Sequence, residues 1–152
     1  MQKPYTVRFA HLKDPVAYKE GDIIERGDVV GIMGNTGQST GAHLHIDVVF
    51  DRNLWMYRMR DIDRGMPEPA FEQLHYFIDR ELGNGDFRVT TFPYDYRYII
   101  PQNGGWKPHP GYDVVLDTPD KRIYWNRSMT GVVAKTGFDS GYGNYVYIIF
   151  RA

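Results

Sequence analysis

Apolar and polar residues alternate along most of this chain. From Tyr5 to Phe9 the side chains run Tyr, Thr, Val, Arg, Phe, the two-residue period of a strand buried on one face. Between Glu20 and Met33, Gly21-Asp22 and Gly27-Asp28 each precede a β-branched pair, Ile23-Ile24 and Val29-Val30, which predicts short strands joined by tight turns. The segment from Gly34 to Gly41 is rich in glycine and small polar residues and reads as a loop feeding an extended run from His43 to Phe50. Residues 51 to 66 are charged and aromatic without clear periodicity, and Trp55, Met56, Tyr57 and Met59 are read there as core cover. The period then changes. Phe71, Leu74, Ile78 and Leu82 step by three or four, Pro69 suits a first helical turn, and Gly83 with Asn84-Gly85 suits its stop. Strand patterns return over Phe87–Phe92, after His109, and over Met129–Ala134 and Gly143–Phe150, the last two separated by a glycine-rich turn around Gly137 to Gly143. The expected architecture is mainly β, an antiparallel sheet or sandwich with one helix inserted between two β halves.

Composition narrows this picture without changing it. The chain has 152 residues, enough for one domain with a sizeable core. With 42% hydrophobic and 24% charged residues it has the balance of a soluble globular protein. A net charge of -1 gives no basic footprint, so neither nucleic acid nor an anionic membrane is an expected partner. There is no apolar run long enough to cross a bilayer and no apolar signal region near Met1, so the chain is expected to carry no export signal of its own. Cysteine is absent, which leaves any metal to histidine and carboxylate.

The five histidines are His11, His43, His45, His75 and His109. In a strand, His43 and His45 point to one face while Leu44 turns to the other. His11 ends the first strand and shares the face of Val7 and Phe9 if that strand stays regular. His109 and Asp113 are four apart, and Pro110-Gly111 between them forbids a helix interior, so in an extended segment they too share a face. His75 lies in the expected helix with no second ligand at helical spacing and is read as a packing or surface residue. One carboxylate and two imidazoles, from His109, Asp113 and one of the His43/His45 pair, would make a three-ligand zinc site with its fourth position open. That arrangement is catalytic rather than structural. His11 and the remaining member of the pair would serve as general base and oxyanion partner, with amide hydrolysis the natural reaction. The competing reading leaves these histidines scattered along strands with no shared task.

Those residues carry a resemblance. His109-Pro110-Gly111-Tyr112-Asp113 resembles the His-x-Gly-x-Asp motif of the lysostaphin/LytM-like zinc endopeptidases, peptidoglycan hydrolases that cut peptide bonds of the bacterial cell wall. Gly41-Ala42-His43-Leu44-His45 is similar to their Gly-Pro-His-Leu-His motif, and Phe9-Ala10-His11-Leu12 to their Tyr-Ala-His-Leu. Gly143-Asn144-Tyr145-Val146 and the loop Gly34-Asn35-Thr36-Gly37-Gln38-Ser39-Thr40-Gly41 also match family segments. The resemblance covers roughly residues 5 to 50 and 87 to 150. It implies the fold of that peptidase, zinc ligands His109, Asp113 and His45, and catalytic histidines His11 and His43.

Three departures accompany it. Ala42 replaces the usual Pro, and Ile46-Asp47 stands where Phe-Glu is common. Asp47 shares the face of His45, either as an acceptor for an imidazole N–H or as a solvent-facing strand carboxylate. The third departure is one of order: in the family the His-x-Gly-x-Asp segment precedes the His-x-His segment, and here it follows. The resemblance therefore implies a circularly permuted peptidase domain spanning 1–152, with a β half at 1–50, a connector with the helix at 51–86 and a second β half at 87–152. The strand beginning near Lys3 and the strand ending near Phe150 are then expected to be antiparallel neighbours. The implied cofactor is Zn2+, and the implied partner is a peptidoglycan peptide. The expected place of action is extracellular, at the cell wall or in a phage virion, as in bacteriophage lysis. The expected state is a monomer or a domain of a larger phage or wall protein. Tyr96 or Tyr98 is a candidate for stabilising the tetrahedral intermediate. The alternative function is a non-catalytic cell-wall-binding or carrier-type β module. The two Gly-Asp turns also resemble carrier domains, but this chain lacks their Met-flanked modifiable Lys.

Overall fold

The computed structural model describes residues 4–37, 41–50, 87–91, 100–102, 105–107, 112–125 and 127–151. Their regular structure is all strand: β1 (Pro4–Leu12), β2 (Ile23–Ile24), β3 (Val29–Ile32), β4 (Leu44–Phe50), β5 (Phe87–Thr91), β6 (Ile100–Gln102), β7 (Gly105–Lys107), β8 (Tyr112–Leu116), β9 (Arg122–Tyr124), β10 (Gly131–Asp139) and β11 (Gly143–Arg151). Seven of them form one sheet in the order β2-β10-β11-β1-β4-β8-β5, and every pairing in it is antiparallel. The mainly β, antiparallel fold class is the observed one. The helix expected from Pro69 to Leu82 lies outside the described residues.

Alternation fixes the two faces of this sheet. Val7 and Phe9 on β1, Leu44 and Ile46 on β4, Val114 and Leu116 on β8, and Val146, Ile148 and Phe150 on β11 all enter one buried cluster. The two-stranded ribbon β3–β9 contributes Val30 and Ile123 to the same cluster, with Trp125 just beyond it. The sheet and the ribbon thus share one core, the sandwich arrangement that the pattern predicts. Trp125 is fully buried and donates its indole N–H to the Met129 carbonyl at 2.9 Å, so its one polar group is satisfied. The opposite face of the central strands carries Arg8, His45, Asp47, Tyr145 and Tyr147, all of them also buried.

The Gly-Asp turns are built alike. Gly21 and Gly27 have φ of 92° and 93°, a region glycine enters without steric cost. The carboxylates of Asp22 and Asp28 accept from the backbone N–H of Lys19 and Glu25, each at 2.8 Å, and close the two turns. Three details differ from the pattern. Gly137 lies inside β10 rather than in the turn, which is confined to the residues between Asp139 and Gly143. β9 is only three residues long, and β6 and β7 pair as short antiparallel strands between Phe92 and His109, where the pattern predicts none. None of the three short strands offers enough residues for a period to show.

β1 and β11 are antiparallel neighbours, with Pro4 paired to Arg151 and Tyr5 to Phe150. The adjacency expected from the reversed motif order is therefore present.

Candidate active site

The site grows from the register of β4. His45 pairs with Ala10 of β1 on one side and with Asp113 of β8 on the other. Directly opposite residues in a sheet put their side chains on the same face. The His45 Nδ1–H accordingly donates to Asp113 Oδ1 at 3.1 Å. His43 lies two residues before His45, and its Nε2 stands 3.7 Å from Asp113 Oδ1. Asp113 is thus within reach of both imidazoles, which share one face as their even spacing predicts.

His11 reaches the same place by another route. By simple alternation it would follow Val7 and Phe9 into the core. The ladder between β1 and β11 instead shifts between Phe9 and Leu12, and His11 has φ of 61°. This is a β-bulge with a left-handed residue, a device that re-aims one side chain. Leu12 takes up the core face, fully buried, and His11 swings out to the histidine face. Its ring centroid is 4.6 Å from that of His43 and 6.4 Å from that of His45. The expectation that His11 shares the face of Val7 and Phe9 is corrected by this bulge.

The loop beginning at Gly34 holds the rings in place. His11 Nδ1–H donates to the Thr36 carbonyl at 2.7 Å, and His43 Nδ1–H donates to the Gly41 carbonyl at 2.8 Å. A carbonyl only accepts, so both imidazoles carry their proton on Nδ1. Burial pulls the His11 pKa down to about 4, against the opposing bond to Thr36, and keeps the ring neutral.

Behind His45 lies an ion pair that local pattern alone does not reveal. Arg8 and Asp47 are cross-strand partners on β1 and β4. The guanidinium binds the carboxylate through both Nε, at 2.9 Å from Oδ1, and Nη2 on Oδ2. Asp47 Oδ1 is also 3.7 Å from His45 Nε2. Asp47 is fully buried, which corrects the reading of it as a solvent-facing strand carboxylate. The Arg8 guanidinium stacks 3.9 Å from the Tyr142 ring centroid, and that ring stands 5.8 Å from His45. Burial would raise the Asp47 pKa, but Arg8 and His45 outweigh it and hold the carboxyl at about 2. Burial would likewise depress His45, but the carboxylates of Asp113 and Asp47 raise it to about 9.

The donor set suits a divalent ion. Two ligand atoms bound at about 2.0–2.1 Å in a tetrahedral shell are about 3.3 Å apart, and His45 Nδ1 and Asp113 Oδ1 are separated by 3.1 Å. With Nδ1 directed to an ion, Nε2–H faces the Asp47 carboxylate, the outer acceptor that metal-bound imidazoles commonly have. Among the described residues no set of three His, Cys, Asp or Glu side chains closes around one point. The expected third ligand, His109, lies outside the described residues, as do His75, Tyr96 and Tyr98. Of the five expected site residues, the structure brings His11, His43, His45 and Asp113 together. Arg8, Thr36, Tyr142 and Asn144 join them without having been singled out from sequence. Thr36 and Asn144 left a trace there, in the segments Gly34–Gly41 and Gly143–Val146 that match the family.

A mainly β fold with histidines and a carboxylate converging on one sheet face defines a class, and known proteins agree with it. Residues 1–55 match the model of Peptidase family M23. An uncharacterised metalloprotease of Buchnera aphidicola is 46% identical over 44 residues, covering 29% of this chain and 11% of that protein. The peptidoglycan DD-endopeptidases ShyB and ShyA of Vibrio cholerae are each 40% identical over 45 residues, covering 30% of this chain and 10% of theirs. The chain thus spans about a tenth of the length of these curated relatives. No solved structure gives a significant match. Over its first 55 residues the chain is thus similar to the M23/LytM-like peptidases.

Proposed function

We propose that this domain is a zinc-dependent endopeptidase that cleaves peptide cross-links or stem peptides of bacterial peptidoglycan. The observation that carries the reading is the 3.1 Å approach of His45 Nδ1 to Asp113 Oδ1, with the His11 and His43 rings tilted against each other beside it. His109, Asp113 and His45 would hold the ion. Zinc, when bound, supplies an acidified water and polarises a carbonyl.

The protein's own groups supply the rest. His11 is neutral with its proton on Nδ1, so Nε2 carries the lone pair that takes a proton from an attacking water. His43 Nε2 stands beside the Asp113 carboxylate, placed to face the developing oxyanion or the leaving amine. Burial of the face that holds Arg8, His45 and Asp47 lowers the local dielectric and strengthens each of these contacts. The names of the Vibrio cholerae relatives point to peptidoglycan as the substrate. The cell wall, reached by secretion or as part of a phage particle, is the corresponding place of action.

The motif order and the pairing of Pro4 with Arg151 support a permuted form of the peptidase domain. In that reading a short turn linking β11 to β1, with the chain opened between residues 51 and 86, yields a folded protein of the usual motif order.

The test is digestion of purified peptidoglycan by the zinc-loaded protein, followed by mass spectrometry of the released fragments. New peptide termini that vanish on chelation and return with zinc support the reading and identify the bond. Bound zinc with no cleavage would defeat it in favour of a wall-binding module.

A further inference from the structure

The glycine-rich loop and the start of β11 meet at His11 through a connected set of hydrogen bonds. The Thr36 hydroxyl donates to the Leu12 carbonyl at 2.5 Å and accepts from the Asn144 backbone N–H at 3.0 Å. The Asn144 side-chain amide donates to the carbonyls of Leu12 and Lys13, at 3.3 and 3.4 Å. The His11 backbone N–H donates to the Tyr142 carbonyl at 2.7 Å. Every one of these bonds ends on the three-residue segment His11-Leu12-Lys13 or on the residues that grip it. The approach is close enough to demand glycine: a Cβ at Gly37 would lie 2.2 Å from the Gly143 nitrogen, and one at Gly143 would lie 2.3 Å from Thr36 Oγ1.

We infer that Thr36 and Asn144 form a clamp that holds His11 in its left-handed bulge and fixes its imidazole as the Nδ1–H tautomer, leaving Nε2 to face the reacting atoms. They are positioning residues, acting through His11. A left-handed non-glycine residue is costly and persists only where its surroundings over-determine it. Here the hydroxyl of Thr36 secures the bulge, and the carbonyl of the same residue accepts the imidazole proton. Backbone conformation and tautomer are thereby set by one residue. The Gly41 carbonyl, at the far end of the same loop, treats His43 in the same way.

The assignment of a catalytic task to Nε2 rests on the peptidase reading, whereas the tautomer itself does not. The experiment therefore has two readouts on the full-length chain: the two-bond 1H–15N spectrum of the histidine rings, and kcat and KM for peptidoglycan fragments. Thr36→Val removes the hydroxyl and keeps the shape. It is expected to mix the two neutral tautomers of His11 and to lower kcat by about 10²-fold, with KM and zinc content unchanged. Thr36→Ser keeps the hydroxyl and is expected to restore both. Should the valine variant fail to fold, Asn144→Asp withdraws the amide donor and carries the same expectation. A Thr36→Val protein with the wild-type His11 tautomer and wild-type kcat would overturn the clamp while leaving the peptidase reading intact. A serine variant as impaired as the valine would also overturn it. If the wild-type protein cleaves no peptidoglycan, the peptidase reading fails, and the ring spectra alone decide whether the clamp exists.

Discussion

His45 and His11 stand 6.4 Å apart and arrive by opposite means. His45 obeys strand alternation: it sits in regular register between Ala10 and Asp113, and its face follows from its position in β4. His11 defies alternation, reaching the same face through an inserted residue at φ 61° and a loop that grips it. The first placement is a by-product of the sheet and is as robust as the core beneath it. The second depends on a few polar contacts outside the sheet, so it is open to adjustment without unfolding the protein. In the proposed mechanism the ligand, which must stay fixed, would be on the ladder, and the base, which must be aimed, on the bulge.

Substitution separates the two most sharply. His45→Ala is expected to abolish tight zinc binding and with it all measurable hydrolysis, read by metal analysis and by turbidity loss of cell walls. His11→Ala is expected to keep stoichiometric zinc and lose activity by about 10²- to 10⁴-fold, the span of a general base. A His11 variant that loses its metal would erase the distinction between ladder and bulge.

Asp47→Ala tests what supports the ladder side. It strands the Arg8 guanidinium, which is buried with Asp47 as its carboxylate partner at hydrogen-bond distance. Breaking such a pair from one side costs about 3–5 kcal/mol, measurable as a lowered denaturant midpoint of the metal-free protein. Zinc affinity is expected to fall by about 10- to 100-fold as His45 loses its outer acceptor. Asp47→Glu, if it reaches Arg8, should recover more stability than affinity.

The two histidines also oppose each other in pH dependence. His45 has its pKa raised to about 9 in the metal-free fold, by Asp113 and Asp47 acting against burial. Its contribution to stability is complete below its ordinary value of 6.5 and is lost as pH rises toward 9. Burial lowers His11 to about 4, so its contribution is complete above 6.5 and is lost as pH falls toward 4. Metal-free protein should therefore melt highest near pH 6.5 and lower on either side. Bound zinc would compete with the proton at His45 and should flatten the alkaline limb alone. An acid limb that survives His11→Gln unchanged would show that His11 is not its source.

How much of this was legible follows the same division. His43 and His45 could be paired from even spacing, because a regular ladder preserves the period that spacing counts, and the resemblance brought Asp113 to them. The neighbouring strands at Pro4 and Arg151 followed from motif order. His11 was found by its motif, but its face was not, since a bulge leaves no mark in alternation. The Arg8–Asp47 pair joins residues 39 apart and becomes visible only when cross-strand register is known. Thr36 and Asn144 lie in segments that match the family, but their hold on His11 runs through backbone groups 24 to 132 residues away and has no local signal.

A second Arg–Asp pair provides the smallest expected effect and a control for burial. Arg88 of β5 meets Asp117, just past β8, at 3.2 Å, with side chains 65% and 45% exposed. Its chemistry is that of Arg8 and Asp47, though only Nε engages it, at 3.3 and 3.2 Å from the two carboxylate oxygens. Water screens it, and two long side chains lose freedom in forming it, so Asp117→Ala is expected to shift stability by less than about 1 kcal/mol. The shift should shrink further at high salt, within a Debye length of about 3 Å at 1 M. Asp47→Ala should keep most of its cost under the same salt, because solvent does not reach Asp47. Equal losses in the two variants would mean that desolvation does not separate the pairs, and that the Arg8–Asp47 contact behind His45 is no more than a surface ion pair turned inward.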